Sequence, residues 1–248
     1  MPPASAAVRP RNDPAQYDDL VDAWGADRGP FAMLHWLAAA RAEIVPRPRR
    51  PGALLVDVGC GGGLLAPHLA GYRHVGVDIT HSALVVARGL GVEPVRADAA
   101  RLPLRTGCAD VVVAGEILEH VPDLPSVLAE LCRVLAPGGT LVIDAIAATW
   151  LARLVAVDIA ERLPGGPPAR LHDPALFVDR RHLVELCAGH GVPLRIRGLR
   201  PSAIGYVGWL AGRPATRMVP SRLSAVLFQA VGVKDRAERT DVAARDDQ

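Results

Sequence analysis

Residues 54–65, LLVDVGCGGGLL, constrain this chain more than any other stretch. Apolar and β-branched residues lead into Asp57, and four of the five positions from Gly59 to Gly63 are glycine. Such a run reads as a buried strand ending in a turn whose backbone approaches a ligand closely, because glycine takes positive φ freely and carries no Cβ. Leu64, Leu65 and Leu69 then resume at helical spacing. The expected unit is therefore strand, glycine loop and helix, with its ligand at the N–H groups exposed by the loop and the helix start.

With 248 residues, half of them apolar, the chain can bury one α/β domain with additions at its ends. Its net charge is +2 and Lys234 is its only lysine, the arginines being scattered, so no basic stripe points to a nucleic-acid partner. Cys60, Cys108, Cys132 and Cys187 are widely spaced and read as free thiols in a reducing compartment. With no cleavable signal at the start and no apolar run of membrane-spanning length, the expected location is the cytoplasm.

Prolines among small and charged residues predict a disordered segment over 1–14, and helical spacing predicts a helical cap over 15–50. In that cap Trp24, Phe31 and Trp36 read either as core or as a lid over the glycine loop. From 51 to 212, strands at 54–58, 74–79, 93–98 and 109–117, and then a helix end, a Pro-Gly-Gly turn and a fifth strand over 135–146, alternate with helices. That order predicts a Rossmann-like, doubly wound mixed sheet with helices on both faces. An amphipathic helical insertion is expected near 149–175, as a lid or core element, with peripheral membrane contact as the lesser alternative. A helix and two strands, 193–199 and 204–210, would complete the sheet. A C-terminal helix at 221–233 and a disordered charged tail would fill 213–248.

Asp57, Asp78, Asp98 and Glu116 all fall at the carboxyl ends of the expected parallel strands, ringing one crevice. A ligand carrying a positive charge, an amine and hydroxyls suits that crevice better than a pyrophosphate. Gly61, Gly63 and Ala66 nevertheless satisfy G-x-G-x-x-A, so an NAD-dependent oxidoreductase stands as the alternative enzyme class. Glu116, Glu119 and His120 lie at spacings that share one side of a helical turn, and His172 follows a Pro-Gly-rich stretch that can return it to the same spot. Together they make a reasonable site for Mg²⁺, Mn²⁺ or Zn²⁺, with His120 as a metal-free general base the other reading.

The succession VDVGCGGG, VGVDIT, RADAARLPL, ADVVVAGEILEHVPD and LAPGGTLVI, within residues 54–146, resembles the class I S-adenosylmethionine-dependent methyltransferases. The resemblance implies S-adenosylmethionine across the loop, with Gly59, Gly61 and Gly63 giving backbone access and Asp57 orienting the loop or meeting the amino-acid end. It further implies Asp78 on the ribose hydroxyls, Ile79 against the adenine, Asp98 and the Ala99 N–H on the adenine edge, and Glu116 in contact with the cofactor. EILEHVPD (116–123), TWLARLVAVDIAERLP (149–164) and LHDPALFVDRRHL (171–183) are similar to the ubiquinone-biosynthesis O-methyltransferases. They imply a small-molecule acceptor with a catechol-like or vicinal diol. The ExxEH sequence also resembles the metal site of small-RNA 2′-O-methyltransferases. A cofactor-binding regulatory protein without turnover is the non-enzymatic alternative.

Overall fold

The computed structural model describes residues 9–26, 28–162, 166–213 and 215–236. Its N-terminal part holds α1 (Ala15–Asp19), a 3₁₀ turn at Val21–Ala23 and α2 (Ala32–Ala42). Then follow β1 (Ala53–Val58), β2 (Tyr72–Asp78), α3 (His81–Gly89), β3 (Glu93–Arg96), β4 (Ala109–Gly115), α4 (Leu124–Val134) and β5 (Leu135–Ile146). A helix opens as α5 (Trp150–Ala152) and continues as a π-helical stretch, Arg153–Ile159, and a 3₁₀ turn, Ala160–Arg162. The remaining elements are α6 (Arg180–Gly189), β6 (Leu194–Pro201), α7 (Ala203–Leu210), β7 (Met218–Ser221) and β8 (Leu227–Val233).

All eight strands form one sheet in the order β3-β2-β1-β4-β5-β8-β6-β7. The first five run parallel; β8 lies antiparallel between β5 and β6. Successive residues of β4 face opposite sides, and both sides are buried, which is why its sequence is a near-continuous apolar run. Val112 and Ala114 pack with Leu128 and Leu131 of α4 and Leu183 of α6. Val111 and Val113 pack with Val45 and Leu65 on the other face. This parallel arrangement brings the carboxyl ends of β1, β2 and β4 to a single edge.

Four expectations are corrected. After the glycine loop the chain makes only a 3₁₀ turn, Ala66–His68, because Pro67 and Gly71 leave too few residues for an α-helix. Residues 204–210 form α7 rather than a strand: Ser202 accepts the Gly205 N–H at 3.3 Å, and Trp209 turns inward onto Trp36, ring centroids 5.2 Å apart. The segment 221–233 is not helical but contains β8, since β5 needs a partner along its whole outer edge, from Thr140↔Val233 to Ile146↔Leu227. Residues 9–14, expected to be disordered, lie packed on the body of the protein, as shown below. Residues 1–8 and 237–248 of the expected disordered ends, and 163–165 of the insertion, lie outside the described residues.

Candidate active site

A cavity of about 930 Å³ opens at the carboxyl edge of the sheet. Its walls include Asp57, Gly59, Gly61, Asp78, Ile79, Asp98, Ala99, Glu116, His120 and His172, so nearly all the residues singled out from the sequence share it. Gly63 and Glu119 are absent from that lining. Gly63, at φ +77°, packs beneath α3, where a Cβ would come within 2.9 Å of the Ala87 Cα. It packs closely against that helix.

The loop N–H groups are used inside the protein. Gly59 N–H donates to the Val77 carbonyl at 2.8 Å, Gly63 N–H to the Cys60 carbonyl at 2.9 Å, and Gly61 N–H to the Asp78 carboxylate at 2.9 Å. The glycines matter here for what crowds them. A Cβ on Gly61 would lie 2.5 Å from the Trp24 indole, and one on Gly59 would lie 2.6 Å from the Ile117 Cβ. Trp24 thus serves as both core and lid: it is buried, stacks on Phe31 with centroids 4.3 Å apart, and covers the loop. Trp36 belongs to a separate cluster with Trp209.

Asp78 also accepts the Thr80 N–H at 2.8 Å, and burial raises its pKa against the pull of these two N–H donors. Asp98 is exposed and accepts the Ala100 N–H at 2.9 Å, a turn role that leaves its second oxygen free. Ile79 is 55% exposed, a large apolar side chain bare at the rim of the cavity. Asp57 is buried, with its carboxylate 3.4 Å from Nε2 of His74 on the neighbouring strand.

Asn12, Tyr17 and Arg41 line the cavity too and escaped the sequence reading. Arg41 reaches from α2 and grips Asp144 of β5 through Nε at 2.7 Å and Nη2 at 3.0 Å, both side chains almost wholly buried. Burial disfavours the guanidinium charge, but Asp144 outweighs it and raises the Arg41 pKa, while burial raises the Asp144 pKa against the pull of Arg41. The available signal was a charged residue at a buried position of the run AMLHWLAAARA.

Glu116 and Glu119 do not converge with the two histidines on a metal. Among the described residues no group of three His, Cys, Asp or Glu side chains stands in metal-holding geometry. Glu116 follows β4 at φ +54°, a left-handed conformation rare outside glycine, and lines the cavity. Glu119 is fully buried behind it, with neither carboxyl oxygen partnered. His120 Nδ1 lies 2.6 Å from Asn12 Oδ1 and Nε2 lies 3.4 Å from the Tyr17 hydroxyl, while its ring centroid is 5.6 Å from that of His172. His172 Nδ1 faces Glu161 at 3.5 Å, and backbone N–H groups and Arg11 hold that carboxylate. The expected four-ligand site is therefore not assembled, because the turn Leu118–His120 sends Glu119 inward and His120 toward the N-terminal segment.

Burial raises the Glu119 pKa to about 8 and pushes Glu116 well above the carboxylate range, with Glu119 beside it adding to the shift. Burial and His172 push His120 down to about 3, so its ring is neutral. A carboxyl whose folded pKa is raised stabilises the fold fully below its unfolded value of 4.5, and that contribution is lost as pH climbs through 8. His120 acts at the other end, losing its contribution as pH falls from 6.5 toward 3, so the window from 6.5 to 8 reports the carboxyls. Glu119→Gln is expected to flatten the fall in melting temperature across that window and to add on the order of 3 kcal/mol at pH 8. Parallel melting curves for variant and parent would refute the shift.

A glycine loop after β1, an acid closing β2 and a cavity over the parallel edge define an S-adenosylmethionine-dependent methyltransferase of class I. The methyltransferase domain family matches residues 56–143. A ubiquinone biosynthesis O-methyltransferase of Nitrosococcus oceani is 32% identical over 194 residues, 74% of this chain and 82% of that protein. One of Thiobacillus denitrificans is 34% identical over 191 residues, covering 72% and 81%. A Thermotoga maritima structure described as a possible histamine N-methyltransferase has a TM-score of 0.63 at 17% identity over 89% of this chain and 97% of its own, a likeness of fold. The chain belongs to the ubiquinone biosynthesis O-methyltransferase family and is an S-adenosylmethionine-dependent O-methyltransferase. That membership overturns the oxidoreductase alternative.

Proposed function

We propose that the enzyme methylates one hydroxyl of a catechol-like small molecule with an apolar extension, His120 accepting the proton. The observation carrying this reading is that His120 lines the same cavity as Asp57 and Asp78. The residues suit S-adenosylmethionine: Asp78 offers two acceptor oxygens to the ribose diol, exposed Ile79 an apolar surface to the adenine, and Asp57 and Glu116 carboxyl groups to the amino-acid end. When bound, that cofactor supplies an electrophilic methyl group on sulfur.

The protein's part is to bury the reacting groups, aim the acceptor oxygen and take its proton. Trp24, Phe31 and Tyr17 close the loop side and exclude water. His120, neutral at physiological pH, accepts the hydroxyl proton at Nε2 as the oxygen attacks. The apolar extension is supported by Met33, Leu34, Leu37, Leu199 and Tyr206 in the rest of the cavity wall. Leu154, Val155 and Ile159 of the insertion and Leu223 are exposed, with Val155, Ile159 and Leu223 also lining the cavity, which suits an acceptor arriving from a lipid surface. Among the described residues no helix is long and apolar enough to cross a membrane. No step is routed through a divalent cation, since the donors do not converge.

The test measures S-adenosylhomocysteine formation with a prenyl-substituted catechol and its monohydroxy analogue, with and without chelator. Expected are turnover of the catechol that survives chelation, and a kcat about 10²–10⁴-fold lower in His120→Gln with cofactor affinity unchanged. Loss on chelation restored by Mg²⁺, Mn²⁺ or Zn²⁺ would move the ionising role to a cation. Equal rates for the two acceptors would remove the diol requirement.

A further inference from the structure

We propose that Asn12 is the positioning residue of this site, gripping His120 at two points and fixing which ring nitrogen is free to take the acceptor's proton. The inference rests on the base role given to His120, and its first test does not depend on turnover.

Asn12 lies 108 positions before His120, in a proline-rich stretch that composition marked as disordered. Its amide Nδ2 donates to the backbone carbonyl of His120 at 2.8 Å, while Oδ1 stands 2.6 Å from the ring Nδ1. A backbone carbonyl only accepts, so the amide has one orientation: NH₂ toward the carbonyl, oxygen toward the ring. An amide oxygen only accepts as well, so Nδ1 must carry the hydrogen. The lone pair of the neutral imidazole is then on Nε2, the atom 3.4 Å from the Tyr17 hydroxyl. Burial and the nearby Glu119 raise the Tyr17 pKa, so Tyr17 keeps its proton and donates it to Nε2 in a long contact that an incoming acceptor hydroxyl displaces.

The rest of the segment explains how a residue so near the chain start is held. Asn12 sits at φ +58°, left-handed backbone that asparagine tolerates better than most residues. Its N–H donates to the Arg170 carbonyl at 3.1 Å, and Arg170 is itself left-handed at φ +68°. Arg11 donates to the His172 carbonyl at 2.7 Å and faces Glu161, while Gln16 Nε2 reaches the Arg170 carbonyl at 3.3 Å. Residues 11–17 therefore strap the 170–172 loop to the Leu118–His120 turn. The base is set in its working form only when the strap is docked.

The groups facing His120 are Tyr17 of α1, His172 of the 170–172 loop with Glu161 behind it, and Glu119 of its own turn. Against that background Asn12→Asp keeps the acceptor oxygen and adds a charge, whereas Asn12→Gly removes the side chain without straining the left-handed backbone. In protein labelled with ¹⁵N-histidine, long-range ¹H–¹⁵N spectra report which ring nitrogen carries hydrogen, the His120 signals being assigned by their loss in His120→Gln. The expected result is the Nδ1–H form in the parent and in Asn12→Asp, and a shift to the Nε2–H form or a mixture in Asn12→Gly. An Nε2–H ring in the parent, or no change in Asn12→Gly, overturns the proposal.

Catalysis supplies the second readout. With the catechol acceptor, Asn12→Gly is expected to lower kcat about 10–100-fold with the cofactor KM unchanged, and Asn12→Asp to recover most of it with the acid limb of the pH profile moved upward. Loss in His120→Gln with none in Asn12→Gly overturns the positioning role and leaves the base intact. Full activity in His120→Gln removes the base role instead.

Discussion

Arg41→Ala is expected to lower stability by on the order of 3–5 kcal/mol, because it leaves Asp144 charged, buried and unpaired. At this chain length that corresponds to a fall in melting temperature on the order of 10 °C. The guanidinium fits so closely that a Cβ on Gly115, the last residue of β4, would lie 1.9 Å from its Cζ. Gly115→Ala should therefore displace the same group. The paired change Arg41→Met with Asp144→Leu separates two roles, since it replaces a buried ion pair by apolar volume. It should regain most of the stability, yet cofactor binding should stay weakened if Arg41, which also lines the cavity, contributes its charge to the cofactor's carboxylate. Thermal unfolding and calorimetry with S-adenosylhomocysteine measure the two separately. Full affinity in the paired variant would confine Arg41 to a structural role.

Asp78→Ala should weaken S-adenosylhomocysteine binding by about 10²–10⁴-fold if Asp78 holds the ribose as proposed, since two charge-assisted hydrogen bonds at about 1.5–3 kcal/mol each would be lost. It also releases the Gly61 and Thr80 N–H groups that Asp78 now holds, loosening the loop over which Trp24 lies. Asp98→Ala should cost far less, near 10-fold, because Asp98 is exposed and water can replace its contact, whereas Asp78 is half-buried. Calorimetric titration ranks the two. Equal losses would argue against the ribose assignment of Asp78 and for a diffuse electrostatic role shared by the acids of the crevice.

The central sheet was legible because its signals are local. The apolar runs before Asp57, Asp78 and Gly115 each build one strand, and parallel strands covered on both faces leave little freedom in what such runs become. The outer half of the sheet was not legible. Residues 227–233 carry no strong strand pattern, and they are extended because β5 on one side and β6 on the other hold them there through backbone pairing. The run IGYVGWL was misread because its apolar residues are nearly continuous, a pattern that fits a buried strand as readily as a helix.

The cavity shows the same division residue by residue. Asp57, Asp78 and Glu116 could be placed at the crevice because each follows a strand whose direction the sequence sets. Glu119 and His120 share the predicted turn, but the turn is 3₁₀, and its tighter geometry separates their side chains. Asn12 and Tyr17 had no local signal of function, and Arg41 only the oddity of a charge on an otherwise apolar helix. They reach the cavity through contacts spanning about 100 residues, from Asn12 and Tyr17 to His120 and from Arg41 to Asp144.

By itself, then, the sequence determined the parallel core, its glycine turn and the acids at the strand ends, since hydrophobic periodicity and backbone permissiveness act between near neighbours. Only the tertiary structure decided which way the ExxEH side chains point, that Arg41 balances Asp144, and that residues 11–17 clamp His120. Those outcomes depend on burial and on hydrogen-bond partners distant in the chain, and no short-range pattern encodes them.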